Sequence, residues 1–199
     1  MLNRNTFGNI FSSEDQFGEK CGVIGIWCED KIATTYLLRK GLATLQHRGQ
    51  ESAGISVYTS EKKIKTFRGM GLVLNVLTSD VLKNIGESHV AIGHNRYSTT
   101  GNSNSCNAQP VTLENNNFQL SIGHNGNIPD SGYLYKKIKE KPETREQVTD
   151  TYLVTSLLLQ ERAKYSNWDD TLRHVLPQIK GAYCFIILTS DGTMYGARD

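Results

Sequence analysis

The sequence has no apolar run approaching the ~18–20 residues that a membrane-spanning helix needs. Its N-terminal stretch, MLNRNTFGNIFSSEDQFGEK, lacks the apolar centre of a secretory signal, and no Asn-x-Ser/Thr acceptor occurs anywhere. Cysteine is sparse. Cys21, Cys28, Cys106 and Cys184 form no C-x-x-C pair and show no zinc-type Cys/His spacing, so no metal site is expected from them. These absences together point to a reducing, cytoplasmic compartment. Charge of one sign is also missing: a formal net charge of +2 is too small to argue for nucleic acid or an anionic membrane as partner. There are no internal repeats and no linker between residues 21 and 199. What remains, 38% hydrophobic and 21% charged residues, is ordinary for one soluble domain with a real core.

Periodicity places the elements. Residues 22 to 28, short and rich in Val and Ile, read as a buried strand. A helix follows from about Ile32 to Gln46, with Leu38, Leu42 and Leu45 at i, i+4 and i+7. Ala53 to Thr59 alternates as a strand, and Lys63 to Phe67 reads as its hairpin partner. Gly69-Met70-Gly71 fails as a dinucleotide loop because Leu74 holds the third glycine position. Thr78 or Ser79 caps a short helix, and Val90 to Ile92 is a strand leading into a polar, glycine-bounded loop, Gly93 to Gly101. Asn102 to Asn117 reads as loop, and Phe118 to Ile122 as a strand ending in His124-Asn125-Gly126-Asn127. Thr149 to Tyr165 is the strongest helix, and Asp169 or Asp170 caps the next one. Ala182 to Thr189 is a core strand turning at Asp191-Gly192 into Met194-Tyr195. Antiparallel strand groups separated by helices make the class α+β in layers.

One cysteine stands apart. Cys28 and Cys184 read as small core residues, and Cys106 lies in a polar loop. Cys21 sits where a segment of no evident fold meets an ordered strand. With residues 1–20 removed it would carry a thiol and a free α-amine together, and an α-amine of pKa ~7.7–8 can take a proton near neutral pH. Composition alone still favours core packing for such a cysteine. Attack on an amide needs an oxyanion hole, and Asn125-Gly126 offers a side-chain amide beside a glycine N–H, although an Asn-Gly pair is also an ordinary turn. Arg96 suits a bidentate grip on a carboxylate, and Asp150 suits an ammonium group or simply the dipole of its helix. His47, His94 and His124 lie in glycine-flanked turns and read as hydrogen-bonding struts, with no histidine at the spacing of a general base.

Five stretches stand in order: Cys21-Gly-Val-Ile-Gly-Ile26, Leu45-Gln-His-Arg-Gly-Gln-Glu-Ser-Ala-Gly-Ile55, Gly93-His-Asn-Arg-Tyr-Ser-Thr-Thr-Gly101, Ala108-Gln-Pro-Val111 and Gly123-His-Asn-Gly-Asn127. Together they resemble the glutaminase half of the amidophosphoribosyltransferase family, within the class II, N-terminal-nucleophile glutamine amidotransferases. The resemblance runs from Cys21 to Asp199. It implies a four-layer αββα fold with two antiparallel sheets between helices. By position it implies Cys21 as nucleophile, Asn125 and Gly126 as oxyanion hole, Arg96 on the α-carboxylate of glutamine and Asp150 on its α-amino group. Tyr97, Ser98 and Thr99 would belong to the loop that closes over glutamine, with Arg48 supporting the nucleophile. Gln50-Glu51 speaks against the alternative of a glucosamine-phosphate-synthase-like glutaminase.

The same resemblance implies no cofactor for the glutaminase half. It implies phosphoribosyl pyrophosphate and magnesium for a phosphoribosyltransferase half, a homo-oligomer at full length, and leaves an iron–sulfur cluster in the parent protein open. No acidic pair of the phosphoribosyl-binding kind occurs here, and Gly196 to Asp199 reads as an interrupted strand. The expected division is therefore a cleaved leader at 1–20 and an incomplete glutamine amidotransferase domain at 21–199, without the phosphoribosyltransferase domain. Two expectations of different class follow: a glutaminase feeding ammonia to a phosphoribosyl site, or a non-catalytic fragment.

Overall fold

The computed structural model describes residues 21–97, 105–115, 117–129, 131–142, 144 and 148–199. Two four-stranded antiparallel sheets face each other. The first has the order β1-β4-β2-β3, from strands β1 (Gly22–Trp27), β2 (Ser52–Tyr58), β3 (Ile64–Met70) and β4 (Val90–Arg96). The second has the order β5-β6-β7-β8, from β5 (Val111–Glu114), β6 (Gln119–Asn127), β7 (Ala182–Thr189) and β8 (Met194–Arg198). Helices α1 (Lys31–Thr44), α2 (Val73–Val76) and α3 (Ser79–Ile85) cover the first sheet. Helices α4 (Gly132–Lys137), α5 (Asp150–Glu161) and α6 (Trp168–Val175) form the layer outside the second. Strands β1 and β4 touch β6 and β7, so the layers run helix, sheet, sheet, helix, as expected for this α+β class.

Period-2 alternation assigns the faces. In β4, Ala91 joins the core under α1 and Asn95 donates from Nδ2 to the Leu42 carbonyl at 2.7 Å. Ile92 and His94 point the other way, into the space between the sheets. In β6, Leu120 and Ile122 enter the core beneath α5, whereas Ser121 reaches across to Ser56 of the first sheet at 2.7 Å. Helix α5 is buried over most of its circumference, with Leu153, Val154, Leu157 and Leu158 in that core, each contributing roughly 1.5–3 kcal/mol by burial.

Between the sheets the chemistry changes. Only Ile64, Val90, Ile92 and Leu188 form an apolar cluster there among the described residues, with Tyr58, Ile186 and Met194 at its margin. Beside it four hydroxyls close a ring: Ser56 to Thr66 at 2.7 Å, Thr66 to Thr112 at 2.6 Å, Thr112 to Ser121 at 2.9 Å and Ser121 to Ser56 at 2.7 Å. A closed ring lets every hydroxyl donate once and accept once, so burial leaves none of them unsatisfied. At one side the outer strands β1 and β8 flank a cleft of about 370 Å³, lined by Val23 to Gly25, Cys184 to Ile186 and Gly196 to Arg198.

Several expectations need correction. The stretch read as loop to Asn117 contains, among its described residues, a 3-10 turn at Ser105–Asn107 and the strand β5, whose Thr112 is one member of the hydroxyl ring. Polarity hid it, because its polar side chain faces a satisfied polar interface. The short helices α2 and α4 were not anticipated. Helix α6 is capped by Asn167, whose Oδ1 accepts from the Asp170 N–H at 2.8 Å, and Asp169 and Asp170 occupy its first turn instead. Cys184 is exposed and Cys28 half-buried, so neither is the core residue that composition suggested. Thr78, by contrast, caps α3 by accepting from the Val81 N–H at 3.3 Å, one of the two residues expected to do so.

Candidate active site

Cys21 stands at the head of β1, half-buried. Register pairs Gly22 with Asn95, so the thiol arrives where β4 ends. There the Tyr97 N–H donates to Cys21 Sγ at 3.5 Å, and Arg48 Nε donates to the Cys21 carbonyl at 3.3 Å. Arg48 closes the 3-10 turn Gln46–Arg48. The next residue must be glycine for steric reasons: a Cβ on Gly49 would stand 2.7 Å from the Arg96 carbonyl carbon. That close approach presses the Arg48–Gly49–Gln50–Glu51 segment against the end of β4. Glu51 then accepts from Arg96 Nε at 3.1 Å. Among the described residues the two terminal nitrogens of Arg96 make no further hydrogen bond, and they are the pair that grips a carboxylate. Arg96 itself ends β4 and does not sit in a glycine-bounded loop, because β2 pairs with β4 as far as Ser52 and Arg96.

Across the sheet interface, His124 to Asn127 continue β6 and are paired with β7, Asn125 with Cys184 and Gly126 with Tyr183. The expected turn is therefore a strand. An L side chain at Gly126, where φ is +156°, would collide with the Ala182 carbonyl and come within 2.7 Å of His124 Nε2. Alternation sends Ser121 and Asn125 to the same side of β6, the side that faces the first sheet and Cys21. Gly126 is exposed and Asn125 half-buried, so this pair is open to a substrate.

Asp150 opens α5, whose cap is Thr149, accepting from the Tyr152 N–H at 3.1 Å. Burial alone would raise the carboxyl of Asp150, but the hydrogen bond and charge of His124 and the N–H groups of Thr151 and Ile128 outweigh it. The net shift is downward, and Asp150 is a carboxylate at neutral pH. His124 Nδ1 lies 3.6 Å from Asp150 Oδ2. The two halves of the site are tied by one buried bond, in which His94 Nε2 donates to the His124 carbonyl at 3.0 Å.

The structure thus groups Cys21, Arg48, Arg96 and Tyr97 at the end of the first sheet, and Asn125, Gly126 and Asp150 at the facing end of the second. Ser98 and Thr99 lie outside the described residues, as do residues 1–20, for which a cleaved leader is expected. Sequence reasoning missed Glu51 as the partner of Arg96, Gln109, whose Oε1 accepts from the His124 N–H at 2.7 Å, and Thr151 beside His124. It placed His94 and His124 correctly as struts but in turns, whereas both are strand residues. The glycine spacing that suggested turns serves close packing instead. Among the described residues no group of three or more His, Cys, Asp or Glu side chains is placed to hold a metal ion. No described helix is long and apolar enough to cross a membrane.

Two antiparallel sheets packed face to face between helix layers, with a cysteine at the head of an edge strand, match the fold of the N-terminal-nucleophile amidotransferases. The comparisons then narrow the class. The chain is 36% identical over 187 residues to the amidophosphoribosyltransferase of Methanothermobacter thermautotrophicus, covering 94% of this chain and 39% of that protein. It is 36% identical over 182 residues to the amidophosphoribosyltransferase of a Staphylococcus aureus strain, covering 91% and 35%. A solved structure of the allosteric regulatory enzyme of purine biosynthesis superposes with a TM-score of 0.76 at 32% identity, over 89% of this chain and 37% of that one. The glutamine phosphoribosylpyrophosphate amidotransferase of B. subtilis superposes with a TM-score of 0.73, also at 32% identity. No family model matches the chain. The chain is homologous to the amidophosphoribosyltransferases and matches their glutamine amidotransferase portion. It spans 35–39% of the length of these curated relatives.

Proposed function

We propose that the chain hydrolyses the side-chain amide of glutamine at Cys21. Removal of residues 1–20 between Lys20 and Cys21 frees the α-amine. That amine takes the thiol proton, and the thiolate attacks the δ-carbonyl carbon of glutamine. Asn125 Nδ2 and the Gly126 N–H stabilise the oxyanion, worth around 3 kcal/mol per donor on the barrier. The Cys21 ammonium then protonates the leaving nitrogen, the C–N bond breaks, and ammonia departs from a γ-glutamyl thioester. Water, deprotonated by the same amine, cleaves the thioester to glutamate and restores the thiol. Arg96 holds the α-carboxylate and Asp150 the α-ammonium. Arg48 anchors the Cys21 carbonyl, and the loop that begins at Tyr97 and includes Ser98 and Thr99 closes over the substrate. Closure matters because ammonia released into water at neutral pH is protonated and lost as a nucleophile.

The observation that carries this reading is the position of the Cys21 thiol, 3.5 Å from the Tyr97 N–H with its carbonyl held by Arg48. The names of the relatives support a use for the ammonia: formation of a phosphoribosylamine from phosphoribosyl pyrophosphate, in purine biosynthesis, at a site outside this chain. Four cysteines that form no disulfide, together with a sequence without Asn-x-Ser/Thr acceptors, fit a cytoplasmic setting. Intact-mass measurement on purified protein that releases glutamate from glutamine tests the reading. The expected mass begins at Cys21; active protein that retains Met1 to Lys20 would be incompatible with the mechanism.

A further inference from the structure

His124 takes no part in the reaction as written above, yet its ring lies between two groups that do. It is 3% exposed. Nδ1 stands 3.6 Å from Asp150 Oδ2 and 3.2 Å from Thr151 Oγ1. On the far side of the ring the buried Nε2 has no hydrogen-bond partner among the described residues, and a Cβ on Gly126 would stand 2.7 Å from it, so the ring supports the Gly126 backbone directly. The ring packs on Phe185 with centroids 4.8 Å apart, and the His124 backbone is held at both its N–H and its carbonyl, by Gln109 and His94. A carboxylate only accepts, so the N–H on the Asp150 side belongs to Nδ1, and Nε2 is the nitrogen that faces the Gly126 segment.

We propose that His124 is a positioning residue for the amino-acid end of the substrate. Its Nδ1–H aims the Asp150 carboxylate at the α-ammonium of glutamine, and its ring fixes Asn125–Gly126 relative to that carboxylate. The proposal rests on the roles assigned to Cys21 and Asp150 under the proposed function. It makes His124 responsible for choosing an α-amino acid, and leaves the reactivity of the thiol to Cys21 and its amine.

Two electrophiles separate these properties. Iodoacetamide alkylates Cys21 without needing an amino-acid end, whereas a chloroketone analogue of glutamine carries both the ammonium and the carboxylate. In the mature wild-type protein the analogue should react preferentially and glutamine should protect against it; absence of that preference would overturn the active-site reading itself, whatever His124 does. Given the preference, His124→Leu should slow the analogue about tenfold or more while iodoacetamide reacts at the wild-type rate. The glutamine KM should rise more than kcat falls. His124→Asn, which returns a donor at the Nδ1 position, should restore most of the preference. Should His124→Leu not fold, His124→Gln, whose amide reaches past that position, replaces it with the same expectations. An unchanged preference in the folded variant, an equal slowing of both probes, or no restoration by Asn sinks the proposal.

Discussion

The two kinds of interface in this molecule are built from different materials. Where helices meet sheets, the contact is apolar: Leu38 and Leu42 of α1 lie over Ala53, Ile55 and Ala91, and Leu153 to Leu158 of α5 lie over Leu120, Ile122 and Ile187. Where sheet meets sheet, a small apolar cluster adjoins the hydroxyl ring of Ser56, Thr66, Thr112 and Ser121 and the buried His94. The outer interfaces draw on burial of apolar area, which is non-directional and tolerant. The central one relies on directional hydrogen bonds, the hydroxyl ring and the bond from His94 Nε2 to the His124 carbonyl among them, and Cys21, Arg96, Asn125 and Asp150 lie towards its rim.

That comparison can be broken in four places. The largest effect belongs to the rim: Cys21→Ala should reduce glutamate release to the uncatalysed background with the melting temperature unchanged, while Cys28→Ala keeps activity. An equal loss in both would remove the special status of the strand head. Next, in an outer interface, Leu158→Ala should cost ~2–5 kcal/mol in urea unfolding, since the fully buried side chain leaves a cavity beneath α5. A loss well under that range would mean the α5 layer contributes less than its burial implies.

The third test uses acid. Burial, with smaller contributions from the charges of Arg96 and His124 and opposed by the bond to the His124 carbonyl, pushes the pKa of His94 from 6.5 down to about 3. The unfolded chain therefore takes a proton below about pH 6.5 that the folded chain refuses. Stability from this residue is complete above that pH and declines as the pH falls towards 3, by at most a few kcal/mol. Asp150, whose carboxyl is held below its ordinary value of 3.8, adds a second loss only beneath that pH. His94→Gln keeps a donor for the His124 carbonyl and removes the titration, so its stability should fall less between pH 6.5 and 4 than that of the wild type. Parallel curves for the two proteins would show that the central interface is not protonation-sensitive. The smallest effect is expected in the hydroxyl ring, where Thr112→Val preserves shape and should cost about 1 kcal/mol; a neutral result would show that water replaces the missing hydroxyl.

Much of this arrangement is legible along the chain. The periodicity of Leu38 and Leu42 and of Val154, Leu157 and Leu158 marks both covering helices, because a helix repeats its buried face every 3.6 residues. The alternation in Ala53 to Thr59 and the apolar run in Ala182 to Thr189 mark the central strands. Short apolar windows do not mark β5, α2 or α4, since four to six residues carry too little periodicity to stand out. The polar ends of β4 and β6 read as loops for a related reason. Their strand character comes from pairing Arg96 with Ser52 and Asn125 with Cys184, partners 44 and 59 positions away in the numbering.

The functional groups are written locally along the chain: a cysteine at the head of an apolar strand, an Asn-Gly pair, an arginine and a helix-opening aspartate. Tertiary structure alone decided which of these groups meet and what holds them. The same alternation that turns His124 toward α5 turns Asn125 toward Cys21, but alternation names faces without naming neighbours. Glu51 beneath Arg96, His94 on the His124 carbonyl and the ring of four hydroxyls arise from the packing of one sheet on the other. They are contacts between residues far apart in the chain, and no local pattern specifies them.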